Sequence, residues 1–209
     1  MSSDKGQLIV ISAPSGAGKT SIIKNVIKKL NDENRKSKFS VSHTTRLPRE
    51  GDIDGSDYFF VSNEIFDELY EAGNFIETAE VHDYKYGTSK DFIDENINQG
   101  INVFLEIDVQ GFQKLRNRNI EFRSMFILPP SIEELRKRIQ KRGLDSEDVI
   151  EKRMKNALKE LGEAEKYDYL VINDVFEQAI EELLEIVINK DFKDQTHDKK
   201  LKILQDLLS

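Results

Sequence analysis

The chain has 209 residues, 38% of them hydrophobic, which is enough for one sizeable core and too little for several independent domains. Its 39 acidic residues against 31 basic ones leave a formal net charge of −8, a balance that disfavours nucleic-acid and membrane-surface binders, whose contact faces need a positive field. The absence of cysteine excludes disulfides, zinc–thiolate sites and thiol nucleophiles. The polar start, Met1 to Gln7, lacks a signal-peptide pattern, so a cytoplasmic protein with no nucleic-acid and no membrane partner is expected.

In chain order, Leu8-Ile9-Val10-Ile11 reads as a strand ending at the small-residue cluster Ser12 to Gly18. From Thr20 onward, Ile22, Ile23, Val26, Ile27 and Leu30 fall on one helical face. Further fully apolar runs lie at Ile101 to Ile107, Met125 to Leu128 and Tyr169 to Ile172. Such strands, separated by helical stretches, predict an α/β fold with a parallel sheet covered on both faces. Residues from about Phe39 to Ile93 differ in character, with aromatic pieces such as Tyr58-Phe59-Phe60, and read as an inserted α/β lobe. Ser131 to Lys166 is highly charged and helical in period, a helical arm with a turn at Arg142-Gly143. Near the end, Leu201, Leu204, Leu207 and Leu208 recur at helical spacing, a segment that either packs back on the body or forms a subunit contact.

The strand–loop–helix at the start is the context of a phosphate-binding loop, made here by Ala13, Pro14, Ser15, Gly16, Ala17, Gly18, Lys19, Thr20 and Ser21. Glycines let backbone N–H groups turn inward, and the helix N-terminus adds positive partial charge. Lys19 would reach the β- and γ-phosphates of ATP, and the Thr20 hydroxyl would ligate Mg²⁺. Ala13 stands where the strict pattern has its first glycine. The bland alternative, a glycine-rich turn with a surface lysine, does not account for the flanking strand and helix.

Arg46 and Arg49 are three apart with Pro48 stiffening the link, so two guanidinium forks can converge on one phosphomonoester. Tyr58 and Tyr86 would add hydroxyl donors. Asp108 follows the strand Ile101 to Ile107, at the carboxyl edge where open α/β sheets bind ligands, and Glu106 lies two residues earlier on the same face. Either acid suits a water-mediated contact to Mg²⁺ or a contact to the acceptor. Arg138 and Arg142 are four apart on one helix face, and Arg153 follows on the next helix. The three histidines, His43, His82 and His197, show no metal-ligand spacing.

Val41-Ser42-His43-Thr44-Thr45-Arg46-Leu47-Pro48-Arg49-Glu50-Gly51, followed by Asp57-Tyr58-Phe59-Phe60, resembles the signature of the guanylate kinase family. The resemblance continues through Phe75-Ile76-Glu77, Tyr86-Gly87-Thr88, Glu106 to Gly111 and Arg142 to Asp145, in family order from about residue 7 to about 188. It implies a P-loop NTPase three-layer fold with a core domain (1–38, 94–130 and 163–190), a GMP-binding lobe (39–93) and a helical lid (131–162), with a tail at 191–209. The implied reaction moves the γ-phosphoryl group of ATP to GMP, and to dGMP, with Mg²⁺ as cofactor.

By the same resemblance, Glu77 reads the guanine base with the Ser42 and Thr88 hydroxyls. A carboxylate suits the adjacent N1–H and N2 donors of guanine and repels adenine. Ser42, Arg46, Arg49, Tyr58, Glu77, Tyr86, Thr88 and Asp108 thus form the implied GMP site. Arg142, Arg153 and Arg138, with Lys19, carry the implied catalytic charge over the triphosphate, and Asn173 lies on the adenine side. Competing readings are a non-catalytic protein-interaction module of guanylate kinase type and a sibling kinase for another acceptor; the intact phosphate loop argues against the first and Glu77 with Ser42 against the second. Whether the protein is a monomer or a homodimer is not encoded.

Overall fold

The structure is a computed structural model that describes residues 5–81, 83–118, 120–141 and 146–209. The apolar run at the start forms β1 (Leu8–Ser12), buried along its whole length. Its side chains alternate between two cores, since Ile9 and Ile11 join one cluster and Leu8 and Val10 the other. A strand buried on both faces needs a neighbour on each side and helices above and below. Helix α1 (Lys19–Asp32) covers one face with Ile22, Ile23, Val26 and Leu30. After β2 (Ser37–Phe39) the chain leaves the core for β3 (His43–Thr44), β4 (Phe59–Phe60), α2 (Asn63–Glu71), β5 (Phe75–Val81) and β6 (Tyr84–Ser89), then returns through α3 (Lys90–Asn98).

The core continues with β7 (Asn102–Glu106), α4 (Val109–Arg116) and β8 (Arg123–Leu128). The arm is α5 (Ile132–Lys141) and α6 (Glu147–Leu161); β9 (Tyr169–Ile172), α7 (Phe176–Ile188) and α8 (His197–Leu208) follow. Among the described residues, β2, β7, β1, β8 and β9 form a parallel sheet in that order. Register aligns the carboxyl ends, with Ile11 opposite Glu106 and Ser12 opposite Phe126. The loop after β1 and the acids after β7 therefore emerge side by side.

In the lobe the order is β4-β3-β6-β5. The β5–β6 pairing shifts register between Phe75 and Glu77, which sets Glu77 opposite Thr88. A bulge of this kind re-aims a side chain, and here it turns an acid toward the core cleft. The arm helices are joined by Arg136, which pairs with Glu147 and, at 2.6 Å, with Glu151. Ile150, Met154, Ala157 and Leu161 form the buried face of α6, one residue per turn.

Helix α8 packs back on the body. Leu204 and Leu207 join the same core cluster as Leu161, Tyr167 and Leu170. Lys200 is buried on this helix; its ammonium pairs with Glu182 of α7 and, at 2.7 Å, with Asp194. No helix among the described residues is long and apolar enough to cross a membrane.

Removing the buried cation strands two acids whose desolvation it offsets. Lys200→Ala is expected to lower unfolding stability by about 2–4 kcal/mol, read by urea titration, whereas an exposed ion pair would give under about 1 kcal/mol.

Candidate active site

Between β1 and α1 the chain turns through Gly16 (φ 94°) and Gly18 (φ 85°), a left-handed backbone that non-glycine residues adopt at a cost. Gly18 is the N-cap of α1, with no side-chain cap and no acid in the first turn. The helix N-terminus thus keeps its N–H groups and its positive partial charge for an anion. Asn173, just past β9, braces the loop: its Nδ2 donates to the Ala17 carbonyl at 2.6 Å, and its own carbonyl accepts from Arg138 Nη1 at 3.1 Å. The side-chain amide assigned to the adenine side is thereby buried against the phosphate loop. Arg138 is further held by Glu134 at 2.8 Å.

Two acids stand over the loop. Glu106, at the end of β7, accepts from the Thr20 hydroxyl at 3.1 Å and lies 3.5 Å from Lys19 Nζ, all through Oε1. Its Oε2 is buried with no hydrogen-bond partner among the described residues. Glu160 of α6 accepts from the Ser15 N–H at 3.4 Å, and burial holds its carboxyl above the usual range. Arg153, seven residues earlier on α6, donates to Ser15 Oγ at 2.9 Å. Arg142 lies outside the described residues, as does His82.

Across the cleft, Arg46 is buried, with its Cζ 5.2 Å from the Tyr58 ring centroid and 5.5 Å from that of Phe60. Its Nη1 donates to the Leu47 carbonyl at 2.9 Å and its Nη2 to Asp52 Oδ2 at 2.8 Å. Burial opposes the charge, but the Asp52 hydrogen bond and charge outweigh it and raise the Arg46 pKa. The same Asp52 oxygen accepts the Arg49 N–H at 2.8 Å, so one carboxylate fixes the loop that carries both arginines. The Arg49 N–H and then Arg46 hold the Asp52 carboxyl below its ordinary value. Tyr58 and Tyr86 meet edge to face at 5.8 Å, and burial raises the Tyr58 phenol.

Glu77 is 4% exposed, and its Oε1 accepts the Thr88 hydroxyl at 2.5 Å. Burial pushes its pKa to about 7; the Thr88 hydrogen bond works the other way, and the Asp108 charge adds to the rise. Asp108 is the N-cap of α4 and accepts the Gly111 N–H at 2.8 Å. Nearby, His43 packs against Phe59 and Phe75, and burial lowers its pKa.

A cavity of about 420 Å³ joins these groups. The phosphate loop, Glu106 and Glu160 line one end, and Ser42, Arg49, Tyr58, Glu77 and Tyr86 line the other, with Asp108 between. Arg46 and Thr88 stand behind this lining, each tied to a residue of it by ring contact or hydrogen bond. Arg153 lines an adjoining cavity that shares Ser15, Asp108 and Glu160. Asp52 and Glu160 were not singled out from the sequence. Asp52 carries a signal only as an acid within the arginine loop, and Glu160 only through its seven-residue spacing from Arg153 on one helix face.

The guanylate kinase family model matches residues 5–190. The guanylate kinase of Caldanaerobacter subterraneus subsp. tengcongensis is 47% identical over 203 residues, covering 97% of each chain. That of Haemophilus influenzae is 43% identical over 98% of this chain and 99% of its own. The crystal structure of guanylate kinase from Anaplasma phagocytophilum superposes with a TM-score of 0.71 at 30% identity, covering 97% of this chain and 95% of that one.

The buried acid makes stability depend on pH in a stated direction. A carboxyl whose folded pKa, about 7, lies above its ordinary value of 4.5 contributes stability that is fully present below 4.5 and lost as pH rises through 7. Glu77→Gln should therefore raise stability at pH 8 by on the order of 3 kcal/mol and change it little at pH 4. Denaturant titrations of both proteins at the two pH values read this difference; an equal effect at both would contradict it.

Proposed function

This chain belongs to the guanylate kinase family, and it is from that premise that we propose how its residues move the γ-phosphoryl group of ATP to GMP. ATP:GMP phosphotransfer is the reaction of the family, and ATP and GMP are the substrates. The observation that carries the residue assignment is the single cavity with phosphate-loop donors at one end and the Glu77 carboxylate at the other.

In this reading the loop N–H groups from Ser15 to Thr20 and Lys19 hold the β- and γ-phosphates. Arg46 and Arg49, with the Tyr58 and Tyr86 hydroxyls, hold the GMP phosphate. Glu77 accepts from N1–H and the N2 amino group of guanine, with Ser42 and Thr88 beside it. A base without those donors leaves a buried carboxylate unpaired, at a cost of about 1–3 kcal/mol or more, which supports selection of guanine over adenine. dGMP, which carries the same base and phosphate, is the proposed second acceptor.

Charge spread over the transferring oxygens is stabilised by Lys19, Arg138, Arg153 and Arg142, and no nucleophilic side chain is needed. The core segments, the lobe at 39–93 and the arm at 131–162 act as units that close over both nucleotides and exclude water. Mg²⁺ is the proposed cofactor, and the residues present fit it. The unpartnered Glu106 Oε2 beside the Thr20 hydroxyl offers hard oxygen donors, directly or through water. Asp108 is engaged instead in capping α4, which favours Glu106 as the acid for the metal and Asp108 as an acceptor-side group. When bound, Mg²⁺ would neutralise charge on the β- and γ-phosphates.

A coupled assay of ADP release with ATP, Mg²⁺ and each of GMP, AMP, CMP and UMP tests the reading. Turnover with GMP alone is expected, and comparable turnover with AMP would overturn the base-pocket assignment. In Lys19→Ala, kcat should fall by about 10² or more, while GMP affinity by calorimetry stays within about threefold because the lysine serves the other end of the cavity. Loss of GMP binding in this variant would contradict a two-ended site.

A further inference from the structure

Helix α4 runs along the inner side of β5, and its third residue is a glycine whose backbone is ordinary helix. Nothing in its dihedrals calls for glycine, and helix propensity favours alanine there. The surroundings do call for it. A Cβ on Gly111 would stand 2.8 Å from Glu77 Oε2, 3.3 Å from Ile107 Cβ and 3.4 Å from Asp108 Oδ1. Glu77 is buried, and its other oxygen is held by Thr88 at 2.5 Å, so it cannot turn aside without leaving that partner. The Gly111 N–H meanwhile donates to Asp108. Glu77 and Asp108, two of the four acids that line the cavity among the described residues, thus meet at this one residue.

We propose that Gly111 is a specificity-determining position, whose missing side chain leaves the seat in which the Glu77 carboxylate faces the guanine donors. The proposal rests on Glu77 as the base reader. Any side chain at residue 111 displaces Oε2, the oxygen not held by Thr88, and so removes an acceptor from the adjacent N1–H and N2 donors. Gly111 touches no reacting atom; it positions the group that does the reading.

The test is Gly111→Ala in the full chain, assayed with ATP and either GMP or inosine monophosphate, which keeps N1–H and O6 but lacks the N2 amino group. The KM for GMP should rise at least about tenfold, the KM for ATP should stay within about twofold, and the preference for GMP over inosine monophosphate should shrink. The melting temperature should fall by no more than a few degrees, because the better helix propensity of alanine partly offsets the crowding of Glu77 and Ile107. A second arm shortens the displaced acid: in Glu77→Asp/Gly111→Ala the added methyl should cost less in GMP KM than it does beside Glu77, a coupling that a purely structural role would not produce. An unchanged GMP KM in Gly111→Ala overturns the proposal, as does a loss of stability that raises both KM values together. Glu77→Gln separates this failure from that of the base-reader assignment: a raised GMP KM there with none in Gly111→Ala sinks the role of Gly111 alone, whereas an unchanged GMP KM in Glu77→Gln sinks the base-reader assignment itself.

Discussion

The parallel pairing of β1 with β7 on one side and β8 on the other is the constraint from which the site follows. A strand buried on both faces has little room for polar side chains that lack a partner inside the core, so its chemistry is pushed to the carboxyl end. There the phosphate loop leaves β1 while Glu106 ends β7, and the 3.1 Å contact of Thr20 with Glu106 is the direct product of that register. A slip of one residue would turn Glu106 into the sheet's opposite face and separate the two. The helices that bury the strand also aim the donors. α1 begins at Gly18 and points its N-terminus across the loop, and Asn173 after β9 ties the loop from outside through Ala17.

The lobe solves a different problem, which is to keep a carboxylate out of water without giving it a cation. An arginine beside Glu77 would relieve its desolvation and also occupy the acceptor lone pairs that guanine needs. One neutral hydroxyl from Thr88 holds the group in place through Oε1, and in the proposed reading the remaining capacity would serve the base. The arginines of the lobe are kept apart from it by geometry. Asp52 draws Arg46 and the Arg49 backbone into one turn, and the Tyr58 and Phe60 rings flank the Arg46 guanidinium. The buried cation and the buried acid of the lobe are therefore held by separate partners, Asp52 and Thr88.

How much of this was legible depended on sequence separation. The phosphate loop was readable because its strand, turn and helix are contiguous, and the core strands because apolar runs need no knowledge of partners. The Arg46–Arg49 pair was readable because Pro48 and a three-residue spacing act locally, whereas Asp52 drew no notice although it lies in the same loop, since nothing in the spacing says which way an acid turns. Glu160 meets Ser15 across 145 residues, and Asn173 meets Ala17 across 156. Neither pairing has a periodic signature, and only the packing of α6 and β9 against the loop creates it. The tail shows the same limit. Its leucine spacing predicted a helix, but nothing in that spacing says that Lys200 meets Glu182 and Asp194.

In a protein of net charge −8 the donors around the cleft stand beside acids of the chain itself. The main phosphate-facing donors each meet a protein oxygen: Ser15 N–H at Glu160, Lys19 and Thr20 at Glu106, and Arg46 at Asp52. Apart from the buried Arg46, these contacts are solvent-exposed, so each stabilises the cleft only modestly. They also change what binding means energetically. In the proposed reading, a phosphate entering the loop would exchange with the Glu160 carboxylate for the same N–H, one anion for another, so that the net gain would be the difference between two hydrogen bonds rather than the whole of one. Ground-state affinity would then be moderated, while cations aligned for charge that develops only as the phosphoryl group moves would raise the rate.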